Sequence, residues 1–517
     1  MTRKKELRWV RIAATTTLAM VVSPVLFAQT PWFGLELPAG LSTPHEPTII
    51  IATDAAPLPA IVPPGEERFA DLEGDRLRRY LETIVGFSVQ SRANGDALWG
   101  RVAGTPAFLD TAAWVAEEFE KAGLDDVSLD EFVISEPLWV PTTWAVTILA
   151  DGESGVVLES AFPQRPSPAI DGVLTAPVIF VGTGSPAELA NVDVRGAIAV
   201  VHKKPDPGLY HSRIDTSDVV ARGAVAMVHV IELPGNMHSF DAGGCAATIP
   251  CFHLGGEDGA FLEAAIGAAA DAGHAPLRIA LSLEVERRTN TTAANVVAVV
   301  PGTGRSTENI IVNAHADGWF DGASDNGDGL AVLVSLAHHF AGRQPALDRD
   351  LVLVASAGHH TSGGNGATAL LSQRPELTAN TVLVVNIEHV AQLNMSTSLA
   401  RPERGFRDLV ADVVEFPKSA GVSNRAPFLR ELFGKAAARY GVNIYQQVGP
   451  GVPGDLGGYR PLGVPLIQFI YASPVYHTTG DVLETISTPG LERAARFHAY
   501  LIKAAADAPR ELLDPPS

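Results

Sequence analysis

Short apolar runs alternate with helical spacings along the second half of the chain. Residues 310–312, 351–354 and 382–385 are rich in Val, Ile and Leu and have the length of buried strands. A helix is predicted to start near Gly329, just after the first of these runs. Strands that alternate with helices predict an α/β fold, in which a mostly parallel sheet carries helices on both faces.

Two other patterns precede this region. Phe108, Ala112, Val115 and Phe119 repeat at helical spacing after Thr105-Pro106, which predicts a capped amphipathic helix. Between residues 155 and 287 the pattern changes to short β-branched runs separated by Gly and Pro, with candidate strands at 178–181, 197–201 and 224–230. This change indicates a separate β-rich unit inserted in the α/β fold.

Length and charge limit the possible functions. A chain of 517 residues favours two or three domains, and 46% hydrophobic with 19% charged residues is a globular composition. The net charge is −20, and it becomes −24 without residues 1–28, which carry a net charge of +4. This negative charge would repel nucleic acid and anionic membranes, which argues against both as partners.

The N-terminus is typical of an export signal. Basic residues precede an apolar stretch at 12–27, which is short for a membrane span, and Ala28 occupies a suitable cleavage position. An uncleaved anchor is the alternative, because Leu26 is bulkier than the small residue preferred there. No later apolar run reaches 18 residues, so we expect a periplasmic or secreted protein with no integral membrane segment beyond the signal.

The chain has two cysteines, Cys245 and Cys251. In an exported protein they could pair across a short loop, and the alternative is two buried free thiols. Their spacing is not that of a zinc site, so any metal must be bound by other residues.

Candidate metal ligands follow the first predicted strand. His315 and Asp317 come at its end, and Asp325 lies in the Gly-rich loop that follows. Open α/β sheets bind their ligands at the carboxyl ends of strands, and zinc takes His nitrogen and Asp oxygen as ligands. The sequence therefore predicts a zinc site here.

These segments resemble the His-x-Asp and Gly-Ala-x-Asp-Asn-x-x-Gly motifs of the M28 zinc peptidases, the aminopeptidase and glutamate-carboxypeptidase group. Three later segments follow in the family's order: Ala357-Gly358-His359-His360, Asn386-Ile387-Glu388 and Tyr476-His477-Thr478-Thr479-Gly480-Asp481. The resemblance extends over roughly residues 66–505.

The resemblance implies one or two zinc ions. Asp325 corresponds to the carboxylate that bridges two metals in the family. His315 and Glu388 then complete one metal position, and His360 and His477 complete the other.

The same resemblance assigns the catalytic residues. Asp317 is expected to orient His315 by accepting its second ring N–H. His359 occupies the position of the family's general base, where His359-His360 replaces the usual Glu-Glu pair. Imidazole accepts a proton less readily beside a dication. With His360 in place of a carboxylate, fewer negative charges also remain to balance the charge of two metal ions. Glu388 stands where aspartate is usual, which lengthens the ligand but keeps its charge.

A further loop resembles the family's substrate pocket. Asp455 and Tyr459 lie in it, and Asp455 is predicted to meet a substrate amine, with a turn residue as the alternative. No arginine cluster suited to a substrate carboxylate stands out, which favours recognition of an amine.

The inserted unit resembles the protease-associated (PA) domain of secreted peptidases. The predicted division of the chain is a signal peptide at 1–28, a Pro-rich leader at 29–65, the first part of the peptidase domain at 66–154, the PA-like insert at 155–287 and the peptidase core at 288–517. The predicted function is a zinc-dependent aminopeptidase acting on a peptide or small amide. The alternatives are a non-catalytic binding protein with the same fold and a metal-dependent hydrolase of non-peptide amides.

Overall fold

The computed structural model describes most of the chain from residue 56 to residue 514. Within these limits it omits 151–154, 204–216, 241–244, 246–247, 343–345, 402–405, 423–425, 449–453 and 472, and it also describes residues 35 and 49–50. The predicted signal peptide at 1–28 and most of the leader predicted at 29–65 lie outside the described residues.

The main sheet has eight strands. In spatial order they are Ile444–Val448, Lys418–Val422, Leu466–Ile470, Thr381–Asn386, Asn309–His315, Asp350–Ser356, Thr292–Val300 and Ser128–Val133. The four central strands, from Leu466–Ile470 to Asp350–Ser356, are parallel. Strand Thr292–Val300 runs antiparallel to them, and Ser128–Val133 in turn pairs antiparallel with Thr292–Val300. The α/β class predicted from the sequence is confirmed, with antiparallel strands towards the edges.

Successive residues of the central strands point to opposite faces of the main sheet. Ile310 and Val312 belong to the core on one face, and Ile311 belongs to the core on the other. Helices cover both faces, which explains why these strands are apolar throughout. The larger helices are Gly74–Ala93, Pro106–Lys121, Asp328–Ala341, Gly366–Gln373, Pro427–Tyr440 and Thr488–Ala506.

Helix Pro106–Lys121 bears out the spacing seen in the sequence. Its buried residues include Phe108, Ala112, Val115 and Phe119, and proline occupies its first turn. The predicted cap differs in detail, because the hydroxyl of Thr105 donates to the carbonyl of Val102 instead of capping the helix.

A second sheet of eight strands lies between the two parts of the main sheet in sequence. Its strands are, in spatial order, Val156–Val157, Leu138–Leu149, Arg278–Arg288, Leu174–Phe180, Ile198–Lys203, Ala226–Ile231, Cys251–Leu254 and Phe162–Pro163. Helix Gly256–Asp271 packs against it around a separate hydrophobic core. This second unit begins at Leu138, earlier than the boundary at 155 that the composition indicated. Cys245 and Cys251 form a disulfide within it.

The two units meet through an aromatic cluster. Trp139, Phe162 and Phe240 come from the second unit, while Trp319 and Phe320 follow strand Asn309–His315 of the main sheet. Stacked and edge-on ring pairs of this kind add to the burial of their apolar area. The interface is therefore well packed directly beside the predicted zinc ligands.

Smaller sheets complete the fold. Strands Leu393–Arg401, Phe406–Glu415 and Ile49–Ile50 form one, and Gly318–Trp319 pairs with Gly100–Arg101 in another. In the part of the chain that the structure describes, no helix has the length and apolar character needed to cross a bilayer.

Candidate metal centre

The segment after strand Asn309–His315 is held in place by one buried arginine. The guanidinium of Arg101 donates to the backbone carbonyls of Ala316, Asp321 and Gly322 and to the hydroxyl of Ser88, at 2.8–3.1 Å. Burial lowers the pKa of Arg101 to about 10, so the group stays charged at neutral pH. Sequence reasoning missed this residue, because nothing local distinguishes a buried arginine from an exposed one.

The backbone that presents Asp325 is fixed from the opposite side as well. The carboxylate of Asp481 accepts the amide protons of Ser324 and Asp325 at 2.9 and 3.0 Å. The last residue of the closing motif thus supports the loop without facing the cluster itself.

Three histidines surround the carboxylate of Asp325. Its Oδ1 lies 3.1 Å from Nε2 of His360 and 3.3 Å from Nε2 of His315, and its Oδ2 lies 3.0 Å from Nε2 of His477. All four side chains are buried. The structure therefore brings these four predicted ligands together from separate segments of the main unit.

Glu388, the fifth predicted ligand, lies on the His315 side of the cluster. Its Oε1 is 3.8 Å from Nε2 of His315, and its Oε2 accepts a hydrogen bond from Asn386 at 2.8 Å. Burial raises the pKa of this carboxyl group. A nearby cation would favour its ionised form.

The adjacent His389 also points into the cluster, and sequence reasoning missed it. Its Nε2 lies 3.6 Å from Oδ1 of Asp325 and 3.6 Å from Oε1 of Glu388. The sequence offers one signal, a histidine directly after a predicted ligand. In an extended chain successive side chains point to opposite sides, so His389 would be expected to face away from the site.

His359, the predicted general base, forms a close pair with Asp455. Its Nδ1 lies 2.7 Å from Oδ1 of Asp455, while its Nε2 faces Oε1 of Glu388 at 3.9 Å. Burial lowers the pKa of His359, but attraction to the Asp455 carboxylate outweighs it and raises the pKa to about 9. The same pairing lowers the pKa of Asp455 despite burial.

Asp317 has a different contact from the one predicted. Nδ1 of His315 lies 3.0 Å from the backbone carbonyl of Asp317 and 3.7 Å from its carboxylate. The carboxylate instead accepts the backbone amides of His359 and His360 at 3.2 and 2.9 Å. Asp317 therefore orients His315 mainly through its main chain and fixes the His359-His360 turn with its side chain.

The two residues predicted to bind substrate are both buried. Asp455 is buried, and besides His359 it accepts hydrogen bonds from Ser356 and Asn313. Tyr459 is fully buried in the core and donates its hydroxyl to Asn313. The described contacts of Asp455 and Tyr459 are thus with His359, Ser356 and Asn313, and their predicted role in binding substrate stays a prediction.

The donor set fits zinc. Ligand atoms bound at about 2.0–2.2 Å lie at most about 4.4 Å apart, and the distances around Asp325 satisfy this limit. Burial lowers the pKa of His360 to about 4 and that of His389 to about 3, so both rings are neutral, the form that binds zinc. The pKa of His315 is raised instead, because the nearby carboxylates of Asp317 and Asp325 outweigh burial. Asp325, His360 and His477 are close enough together to hold one ion between them.

A narrow cleft opens beside His360. Its volume is about 70 Å³, and Glu136, Arg165 and Arg287 contribute charged groups to its lining. The guanidinium of Arg165 lies 5.1 Å from the ring centre of Trp319. Both arginines belong to the second unit, far in sequence from His360, which is why the sequence showed no arginine cluster.

The loop that carries His477 is bonded to the second unit. The amide of Phe240 donates to the carbonyl of His477 at 2.9 Å, and the amide of Thr479 donates to the carbonyl of His238 at 3.0 Å. The ring of Trp319 packs against those of His360 and His477, at 4.6 Å in each case. Contacts at the interface between the two units thus help to position His360 and His477.

This fold and donor set define the class, an α/β protein with the site of a metallohydrolase. Residues 295–502 match the model of peptidase family M28. These residues include all five predicted ligands, and the resemblance to this family is confirmed.

Two solved structures share this fold. A zinc aminopeptidase from Bacillus subtilis aligns with a TM-score of 0.59 at 18% identity, covering 86% of this chain and 99% of that one. A peptidase M28 precursor from Shewanella amazonensis aligns with a TM-score of 0.61 at 17% identity, covering 84% and 98%. At these identities the likeness establishes the fold.

One curated relative also matches. A probable glutamate carboxypeptidase, AMP1 of Arabidopsis thaliana, is 26% identical over 197 residues, which cover 36% of this chain. The match spans about a quarter of the length of that relative, 26%.

Proposed function

We propose that this protein is an exported, zinc-dependent peptidase that removes residues from the N-terminus of peptides. The observation that carries the proposal is the convergence of His315, His360 and His477 on the carboxylate of Asp325, with His359 beside them. The M28 domain and the fold of zinc aminopeptidases support the same function.

Asp325 is the shared ligand in this proposal. His360 and His477 complete one position, and His315 and Glu388 complete the other. Zinc bound here supplies a Lewis acid that polarises a peptide carbonyl and lowers the pKa of water.

The protein itself supplies the general base. His359 accepts a proton at Nε2, while its Nδ1–H donates to Asp455 at 2.7 Å and so fixes the tautomer and the ring orientation. The negative charge of Asp455 stabilises the imidazolium that forms. A cation bound nearby would oppose this and lower the pKa of His359, which favours the deprotonated form that acts as the base.

The cleft beside His360 is the proposed substrate subsite. Glu136 offers a carboxylate for a substrate amine, in place of Asp455, whose carboxylate is engaged with His359. Arg165 and Arg287 line the same cleft and favour a second candidate, recognition of a substrate carboxylate. Substrates blocked at one end or the other distinguish the two candidates.

The second unit corresponds to the proposed PA-like domain, and we assign it a role in steering substrate because it contributes Arg165 and Arg287 to the cleft. The Cys245–Cys251 disulfide supports export to an oxidising compartment. N-terminal sequencing of the mature protein from cell fractions tests the cleavage predicted after Ala28.

Metal removal tests the function directly. The purified protein is expected to contain one or two zinc ions by elemental analysis and to release p-nitroaniline from an aminoacyl anilide. Dialysis against a chelator is expected to abolish release, because the carbonyl then lacks its Lewis acid, and added zinc is expected to restore it. An N-acetylated anilide serves as the control for amine recognition. A protein with no zinc and no turnover is a binding protein, and the proposal is then wrong.

Replacing the two unusual histidines separates an enzyme from an inactive relative. We expect the double variant His359→Glu/His360→Glu to lose at least about tenfold in kcat, because the first new carboxylate meets Asp455 within hydrogen-bond distance and like charges raise its pKa. The measurement is anilide hydrolysis at saturating zinc. Activity confined to the double variant would identify the natural chain as a non-catalytic protein.

A further inference from the structure

His389 has a backbone conformation that is uncommon for its residue type. Its φ is +52°, in the left-handed region that favours glycine. A non-glycine residue there costs on the order of 1 kcal/mol, and such residues concentrate at functional sites. Here the conformation directs the ring towards Asp325 and Glu388, the two carboxylates of the cluster.

The ring of His389 is buried and held at one nitrogen only. Nδ1 lies 3.4 Å from the hydroxyl of Ser324, at the outer limit of a hydrogen bond. Nε2 makes no hydrogen bond with any described residue, and its 3.6 Å distances to Asp325 and Glu388 are too long for one. A buried ring nitrogen without a partner is costly unless something else binds it.

The distances around this nitrogen match those between ligands of one ion. Nε2 of His389 and Nε2 of His315 both face Oδ1 of Asp325 and Oε1 of Glu388, at distances from 3.3 to 3.8 Å. Each distance is within the limit of about 4.4 Å for two atoms on one zinc ion. The four atoms come from three segments of the chain and point to a common space.

We propose that His389 is a fourth protein ligand, acting with His315, Asp325 and Glu388 on the same metal ion. The inference rests on the proposed function, because it assumes that the cluster binds metal. It makes the two positions unequal. The position of His315 and His389 has four protein ligands, the number typical of structural zinc, whereas the position of His360 and His477 has three and keeps a place open for substrate.

This inequality assigns separate roles to the two ions. An ion held by His315, His389, Asp325 and Glu388 would fix Glu388 in place, whereas an ion held by Asp325, His360 and His477 would leave a position for substrate.

Metal titration of His389 variants tests the assignment without relying on activity. His389→Asn keeps a residue that tolerates positive φ, and His389→Gly removes the backbone strain as well as the ring. The control is His338→Gln, because His338 is bonded to Glu118 away from the cluster. The chelator-stripped full chains are titrated with Co²⁺ and Zn²⁺ against a chromophoric chelator, and bound metal is counted after gel filtration.

We expect two ions in the wild type and in the control. In both His389 variants one ion is expected to bind as before, while the other weakens at least about 100-fold, beyond the 10–100-fold typical of losing an outer-shell partner. The visible absorption of Co²⁺ at the weakened position is expected to decrease. If the wild type binds one ion only, weakening of that ion in the variants supports the assignment.

Unchanged affinity in both variants overturns the inference and leaves the proposed function standing. No metal binding in the wild type overturns both. Urea unfolding of the metal-free proteins shows whether each variant is folded, and His389→Gly is expected to be at least as stable as the wild type because it relieves the positive φ.

Discussion

Replacing His359 with alanine is expected to lower kcat by about 10²–10⁴-fold, the usual contribution of a general base. The zinc content is expected to stay the same, because the ring faces Asp455 on one side and approaches Glu388 only at 3.9 Å on the other. Anilide hydrolysis and elemental analysis of the same preparation measure the two effects. A variant that loses its zinc together with its activity would make His359 a ligand instead.

Asp455→Asn tests the pairing that supports this base. The carboxylate of Asp455 raises the pKa of His359, so its removal lowers that pKa. The base works when deprotonated, and the acidic limb of kcat/KM is therefore expected to move to lower pH while the maximal rate falls. A pH–rate profile measures both changes, and an unshifted limb would exclude the pairing from catalysis.

Replacing Arg101 with methionine is expected to lower the free energy of unfolding by about 3–5 kcal/mol, the usual cost of breaking a buried charged contact. The change removes a donor from the carbonyls of Ala316, Asp321 and Gly322, of which Gly322 keeps the amide of Gly327. It also removes a buried cation that attracts the carboxylates of Asp325 and Asp481. Urea unfolding of the metal-free protein measures the loss.

Two comparisons make the Arg101 result specific. Arg79→Met, at an exposed position of helix Gly74–Ala93, is expected to change stability by less than about 0.5 kcal/mol. Arg101→Lys keeps the positive charge but loses the planar guanidinium, which donates several hydrogen bonds in fixed directions. This variant is therefore also expected to have a clearly lower free energy of unfolding than the wild type. A loss below about 1 kcal/mol in Arg101→Met would mean that water replaces the guanidinium.

The sequence predicted the central strands and the ligands at their ends, because both depend on local patterns. An unbroken apolar run marks a strand buried on two faces, and His315 follows such a run directly. His360, Glu388 and His477 were placed by motif. The structure gathers His360 and His477 around Asp325 and places Glu388 beside His315.

The contacts that sequence reasoning missed depend on tertiary structure. Asp455 lies almost a hundred residues from His359, and its motif says nothing about which side chain it meets. His389 reaches the cluster only because its φ is positive. Arg165 and His360 share a cleft because two separately folded sheets meet there. Such proximity has no local signature in the sequence.

The hydrogen bonds between the 238–240 segment and the loop of His477 have a practical consequence for anyone redesigning this chain. Cutting out the second unit would remove these hydrogen bonds from the loop of His477, a candidate metal ligand. The two units are therefore best expressed together when the candidate site is studied.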